Sequence, residues 1–163
     1  MVAPPPPPPP PSLAVISQVT AAKKIFLSNG GVDDIFNHFI PGGPNVSYNE
    51  LYVSLKQWGH FQLVDSPAQA DLIFEIRSTV IVGQYVVNGG NANIATDTTE
   101  SYKPIFTLSI IDPSTHAPVY SIEMPAGRGS NKAKGAIAFT QSIGVLTDKI
   151  KVLVAVPAVS QNP

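Results

Sequence analysis

Apolar side chains return at three- and four-residue spacing in two stretches of this chain, and alternate with polar ones in several others. Tyr48, Leu51, Tyr52, Leu55 and Trp58 fall on one face of a helix. Ser47-Tyr48-Asn49-Glu50 ahead of them fits a capping box, and Gly59 supplies a left-handed stop. Ala136, Phe139, Ile143, Leu146, Ile150 and Leu153 form a second, longer stripe, capped by Asn131 and ended by Val156-Pro157, with Gly144 as its weakest point. Alternation predicts strands elsewhere. Leu72, Phe74 and Ile76 share one face while Glu75 and Arg77 share the other, as in a sheet with one wet side. This strand is allowed to continue through residues 80–87. Residues 23–28 read as a first strand ended by the turn Asn29-Gly30-Gly31, and residues 60–64 as another, followed by a short capped turn at Ser66-Pro67. Residues 104–111 form a strong strand, and Asp112-Pro113-Ser114-Thr115-His116 turns the chain into residues 119–123, an antiparallel hairpin. Residues 32–45 read as a loop with a turn of helix near 34–39. Residues 88–99, dense in Asn, Gly and Thr, read as a long exposed loop or a mobile hairpin.

The order strand, helix, four strands, helix predicts an α+β fold: a mostly antiparallel four- or five-stranded sheet with two main helices packed on one face. Leu51, Leu55, Trp58 and the second stripe should meet Ile25, Leu27, Leu63, Leu72, Phe74, Ile76, Phe106, Leu108 and Ile110. If the opposite face is open, Ile73, Ile81, Val87 and Ile111 make a partner surface or an association hazard there. Residues 1–20 are expected as a proline-rich leader and linker, 21–157 as one domain and 158–163 as a disordered tail. The prolines at 4–11 should form an extended rod rising about 3.1 Å per residue, a spacer rather than a core element. Use as a groove ligand would call for flanking basic residues, which the rod lacks. The apolar residues 13–19 fit either a helical turn or a strand.

Composition narrows the function classes. Of 163 residues 44% are hydrophobic, enough for a core, and only 13% are charged. Ten Lys and Arg against eleven Asp and Glu give a formal charge of −1, too weak a field to gather nucleic acid or anionic membrane. Without cysteine there is no disulfide, thiol nucleophile or thiolate metal site. No apolar run reaches the roughly 20 residues of a membrane-spanning helix, so no transmembrane segment is expected. The sequence opens without the pattern of a secretory signal. Its low charge and proline leader are those of a mature exported protein, so a periplasmic or secreted place is expected, with the signal upstream of Met1.

Candidate chemistry is sparse. His38, His60 and His116 show no paired spacing, and Asp33-Asp34 lacks the pattern of a calcium loop, so no metal is expected. Serine-hydrolase, nucleotide-loop and dinucleotide motifs are missing, so neither a cofactor nor catalytic residues are assigned. Asp65, Asp71, Glu75 and Glu123 lie near strands with nothing to make them converge. The most pointed feature is Arg128, Ser130, Asn131 and Lys132 ahead of the last helix: cations beside free helical N–H groups make an anion-binding candidate. Tyr48, Tyr52 and Trp58 fit either a glycan- or peptide-binding groove or, at helical spacing, the core.

Residues 25–29, 48–59, 61–71 and 111–116 together resemble an uncharacterised family of small exported proteins from soil bacteria. The run of helix, strand ending in Val64-Asp65, Pro67-Ala68-Gln69-Ala70-Asp71 and a further strand is similar to small α/β envelope domains, such as the amino-terminal domain of the Tol-Pal translocation protein and certain outer-membrane assembly lipoproteins. The resemblance implies a periplasmic or surface placement and a non-catalytic role, and carries over no catalytic residue. Lipoproteins need an anchoring cysteine, which this chain lacks, so an anchor would lie upstream. The expectation is therefore a non-enzymatic exported envelope protein acting as a binding or assembly module. Its partner would be an envelope protein or a second copy. The alternatives are a small-molecule or anion-binding domain and a structural subunit that self-associates through exposed strand edges.

Overall fold

A computed structural model describes residues 9–40, 42–87, 97–127 and 129–155. The elements run α1 (Leu13–Ala21), β1 (Lys24–Val32), α2 (Phe36–Phe39), α3 (Val46–Trp58), β2 (Gln62–Leu63), β3 (Leu72–Val87), β4 (Asp97–Ile111), β5 (Pro118–Pro125) and α4 (Lys132–Ala155), with a 3₁₀ turn at Pro67–Gln69 before β3. The strands form one five-stranded sheet in the order β2-β1-β3-β4-β5. The fold is α+β, as expected, and the sheet is mixed. β1 runs parallel to both β2 and β3, whereas β3–β4 and β4–β5 are antiparallel, with a β3–β4 ladder from Ile73↔Ile111 to Val87↔Asp97. The parallel half follows from α3, whose length lets the chain cross over between β1 and β2.

The core lies between one sheet face and the helices. Ile25, Leu27, Leu72, Phe74, Ile76, Phe106, Leu108, Ile110, Ile122 and Met124 from the strands meet Leu51 and Leu55 of α3 and Phe139, Ile143, Leu146, Ile150 and Leu153 of α4. The stripe in α4 begins at buried Gly135, four residues before Phe139, rather than at Ala136, which is exposed. Of the two forms open to residues 13–19, the helix is the one that forms. Ser12 caps it by accepting from Val15 N–H at 3.4 Å, and Val19 is fully buried in the core. Gln18 Nε2 donates to Asp112 Oδ2 at 3.3 Å, fastening α1 to the β4–β5 turn.

Several local expectations change. Ser47 does not cap α3: the helix starts at Val46, Asn45 is its N-cap residue, and Ser47 turns inward to share a hydrogen bond with Ser78 at 2.5 Å. A hydroxyl buried at the helix–sheet contact needs such a partner. Asn29-Gly30-Gly31 does not end β1; it makes a bulge, with Gly31 at φ 98°, and the strand goes on to Val32. β4 begins at Asp97, well before Pro104. Residues 88–96 of the expected loop lie outside the described residues. Gly59 at φ 69° ends α3, and Ser66 caps the 3₁₀ turn, both as expected.

Candidate functional site

Among the described residues the helices leave the second sheet face uncovered. Alternation places Phe26, Ile73 and Ile111 in one row across it, opposite one another in register. None of the three belongs to the core cluster, so the row packs on the open side, where Ile73 is 9% exposed. Ser28, Glu75, Ser109 and Ser121 form the next row, with Ser28 Oγ donating to Glu75 Oε2 at 3.3 Å. Beyond them come Arg77, Thr107 and Glu123, and Arg77 reaches Asp33 at 3.7 Å. The face thus grades from apolar to charged along the strands. Ile81, expected on this face, is about half exposed, and Val87 lies in β3 by its backbone.

Past this graded face the two central strands outrun their neighbours. β1 ends opposite Ser78 and β5 opposite Ile105, yet β3 and β4 stay paired to Val87↔Asp97. Residues 79–87 and 97–104 therefore project as a two-stranded ribbon. At its root, where β5 leaves the sheet, opens a hollow of about 600 Å³, a size suited to a ligand or an inserted side chain. Phe39, Tyr102, Pro104, Ile105, Pro125 and Ala126 line it, with Glu100 and Lys103 at the rim. Phe39 packs on Tyr102 with ring centroids 5.7 Å apart, fixing the end of α2 against the ribbon. Glu100 accepts a hydrogen bond from the Tyr102 hydroxyl and raises the phenol above its ordinary pKa. No signal in the sequence pointed to this hollow, because Phe39 and Tyr102 are brought together by the sheet and not by spacing.

The sequence-derived candidates are scattered. Ser130, Asn131 and Lys132 are exposed at the start of α4, where Asn131 Oδ1 accepts from Lys134 N–H at 2.9 Å and so occupies one of the free helical donors. Arg128 lies outside the described residues. His38 and His116 are exposed; His60 is half-buried, stacked on Trp58 at 4.8 Å. Among the described residues no three metal-ligating side chains gather. Asp71 accepts from the backbone N–H groups of Lys23 at 2.7 Å and Lys24 at 2.8 Å, which holds its carboxyl below the usual aspartate range. Asp112 is lowered in the same way by the hydroxyl and N–H of Ser114. Both carboxylates are occupied in closing the backbone. Tyr48, Tyr52 and Trp58 are half-buried and pack against the margin of the core.

No family model matches the chain, and no curated protein sequence matches it. Solved structures do resemble it in chain path. One is a neuraminyllactose-binding hemagglutinin homolog from Helicobacter pylori, 11% identical over 81% of this chain and 83% of that one, with a TM-score of 0.44. Another is a PelC dodecamer from Paraburkholderia phytofirmans, 16% identical over 80% and 87%, TM-score 0.45. A third is a minor lipoprotein from Acinetobacter baumannii, 13% identical over 80% and 93%, TM-score 0.41. Among the described residues no helix is long and apolar enough to cross a membrane.

Proposed function

We propose that this chain is a non-enzymatic exported protein of the cell envelope that serves as a binding or assembly module, and that the β3–β4 ribbon with the hollow at its root engages the partner. The observation that carries the reading is the ribbon. It extends past β1 on one side and past β5 on the other, so both of its edges offer backbone donors and acceptors. The two carboxylates with lowered proton affinity are taken up in structural hydrogen bonds, Asp71 by backbone N–H groups and Asp112 by the hydroxyl and N–H of Ser114, which favours binding over acid–base chemistry. Low charge and the proline leader support an exported place with a spacer between the domain and its point of attachment.

A photo-crosslinking residue introduced at Ser101, which lines the hollow, tests the proposal in producing cells. The expected outcome is an adduct with a second protein, recovered in the periplasmic or membrane fraction. Recovery of the protein in the cytosol, or free of any adduct after illumination, overturns it.

A further inference from the structure

In an extended strand the N–H and C=O of one residue point to the same side, and those of the next to the other. Ser78 C=O accepts from Asp33 N–H at 2.9 Å, and Val80 N–H reaches Asp33 Oδ2 at 3.4 Å. The even-numbered residues of β3 therefore face the β1 side. β1 stops at Val32, opposite Ser78. Beyond Val80, the N–H and C=O of Val82, Gln84 and Val86 point to a side where no backbone partner stands among the described residues.

The free edges differ in how they are defended. Sheets discourage stray pairing with short strands, prolines and charge. β2 has two residues. β5 is bracketed by Pro118 and Pro125 and carries Glu123. The outer side of β4, to which Pro104 C=O points in accepting from Ala126 N–H, carries Pro104 and Glu100. The outer side of β3 has none of these devices: from Ser78 to Thr96 the sequence contains no charge and no proline. Thr79, Val80, Ile81 and Val82 there are strong strand formers, and a two-stranded ribbon is marginal in water until a third strand joins.

We infer that this edge pairs with the same edge of a second copy, β3 to β3 and antiparallel, about a two-fold axis beside Gln84. The inference rests on the assembly reading above and names the partner. A charge-free strand meets its own copy with no like charges opposed, and a two-fold pairing satisfies both edges at once. An acidic or basic peptide finds no counter-charge on this strand. Pairing sets Val82 opposite the partner's Val86 and gives every outward N–H an acceptor.

The test uses the full chain, whose mass is followed by light scattering from low micromolar to near-millimolar concentration. The expected result is a rise to twice the monomer mass. Val82→Pro removes an outward donor, and Val82→Lys adds charge to the edge. Each should weaken association at least about tenfold, and the lysine variant keeps the test intact if the proline variant unfolds. Because the chain has no cysteine, Gln84→Cys introduces a single thiol on the axis, where facing Cα atoms about 5.5 Å apart suit a disulfide. Oxidation should link two copies through it and fail to link Ser121→Cys on β5. A wild type monomeric throughout, an association untouched by both Val82 variants, or equal linking through positions 84 and 121 overturns the inference. A monomer that still crosslinks to an envelope protein from Ser101 overturns the self-pairing alone.

Discussion

The same two strands build both the most deeply packed and the most exposed parts of this sheet. At the base of β3 and β4, Phe74, Ile76, Leu108 and Ile110 are buried to within 1%. They lie under α3 and α4, with β1 on one side and β5 on the other. Further along one unbroken ladder, Ile81 is 51% and Val82 48% exposed. Hydrogen bonding between the strands is continuous, and the residues are of the same apolar type. What differs is the surroundings: the base has α3 and α4 above it and a strand on each flank, while among the described residues the ribbon has no flanking strand and only the end of α2 against its root. Burial here is conferred by neighbours, and the inferred second copy would supply those that the ribbon lacks.

Truncation in the two regions should give the largest contrast. Phe74 is fully buried and meets Phe61 edge-on at 5.6 Å, so Phe74→Ala should cost about 3–5 kcal/mol in urea unfolding. Val82→Ser, measured at low protein concentration, should cost less than about 1 kcal/mol. Equal losses would break the comparison, because the ribbon would then belong to the cooperative core.

A smaller contrast comes from one substitution made in both regions. Gly127 follows β5 where the chain passes against α4: its N–H donates to Ser142 Oγ at 2.7 Å, and an added Cβ would lie 2.4 Å from Ala138 O. That oxygen belongs to helix backbone and cannot give way, so Gly127→Ala should destabilise by about 1–3 kcal/mol. In the ribbon, a Cβ at Gly83 meets Ser101 Oγ at 2.9 Å, and a serine hydroxyl rotates aside. Gly83→Ala should be neutral or stabilising by up to about 1 kcal/mol, through the lost freedom of the unfolded chain. Thermal unfolding of the two variants side by side reads the difference, and a loss at Gly83 as large as that at Gly127 would mean the ribbon is packed after all.

The base was legible in the sequence and the ribbon largely was not, for the same reason. Phe139, Ile143, Leu146, Ile150 and Leu153 repeat because one side of α4 meets the sheet, and Leu72, Phe74 and Ile76 alternate because one side of β3 does. Periodicity records burial on one side. Residues 97–99 fall within the Asn-, Gly- and Thr-rich stretch that reads as loop, and Glu100, Ser101 and Lys103 supply no apolar alternation, although the backbone is strand throughout. Phe36 and Ile40, both core residues, were hidden in a segment too short to show a period. Ser47 misled because its spacing from Glu50 fits a cap, whereas burial against Ser78 is a tertiary fact. The apolar members of the open face, Ile73, Ile81 and Ile111, were legible by alternation. The hollow was not, since Phe39 and Tyr102 are far apart in the chain.

The smallest expected effect is electrostatic and should belong to the base alone. Asp71 fastens the start of β1 to the start of β3 by accepting two backbone N–H groups, and the same bonds hold its carboxyl below the ordinary value. A carboxyl depressed on folding contributes stability that is complete above its unfolded pKa, about 3.9, and is lost as pH falls through the lower folded value. Asp71→Asn removes that contribution. The urea midpoint of the variant should therefore lie below wild type at neutral pH, with the gap closing under acid. The side chain is solvent-exposed, so water and salt keep the gap small and added salt should shrink it. Glu100 in the ribbon accepts instead from the hydroxyl of half-buried Tyr102, two residues along the same strand, a bond that ties no separate segments together. Glu100→Gln should therefore cost less stability at neutral pH than Asp71→Asn. A larger loss from Glu100→Gln than from Asp71→Asn would place the stronger carboxylate fastening in the ribbon, and the division between base and ribbon would have to be redrawn.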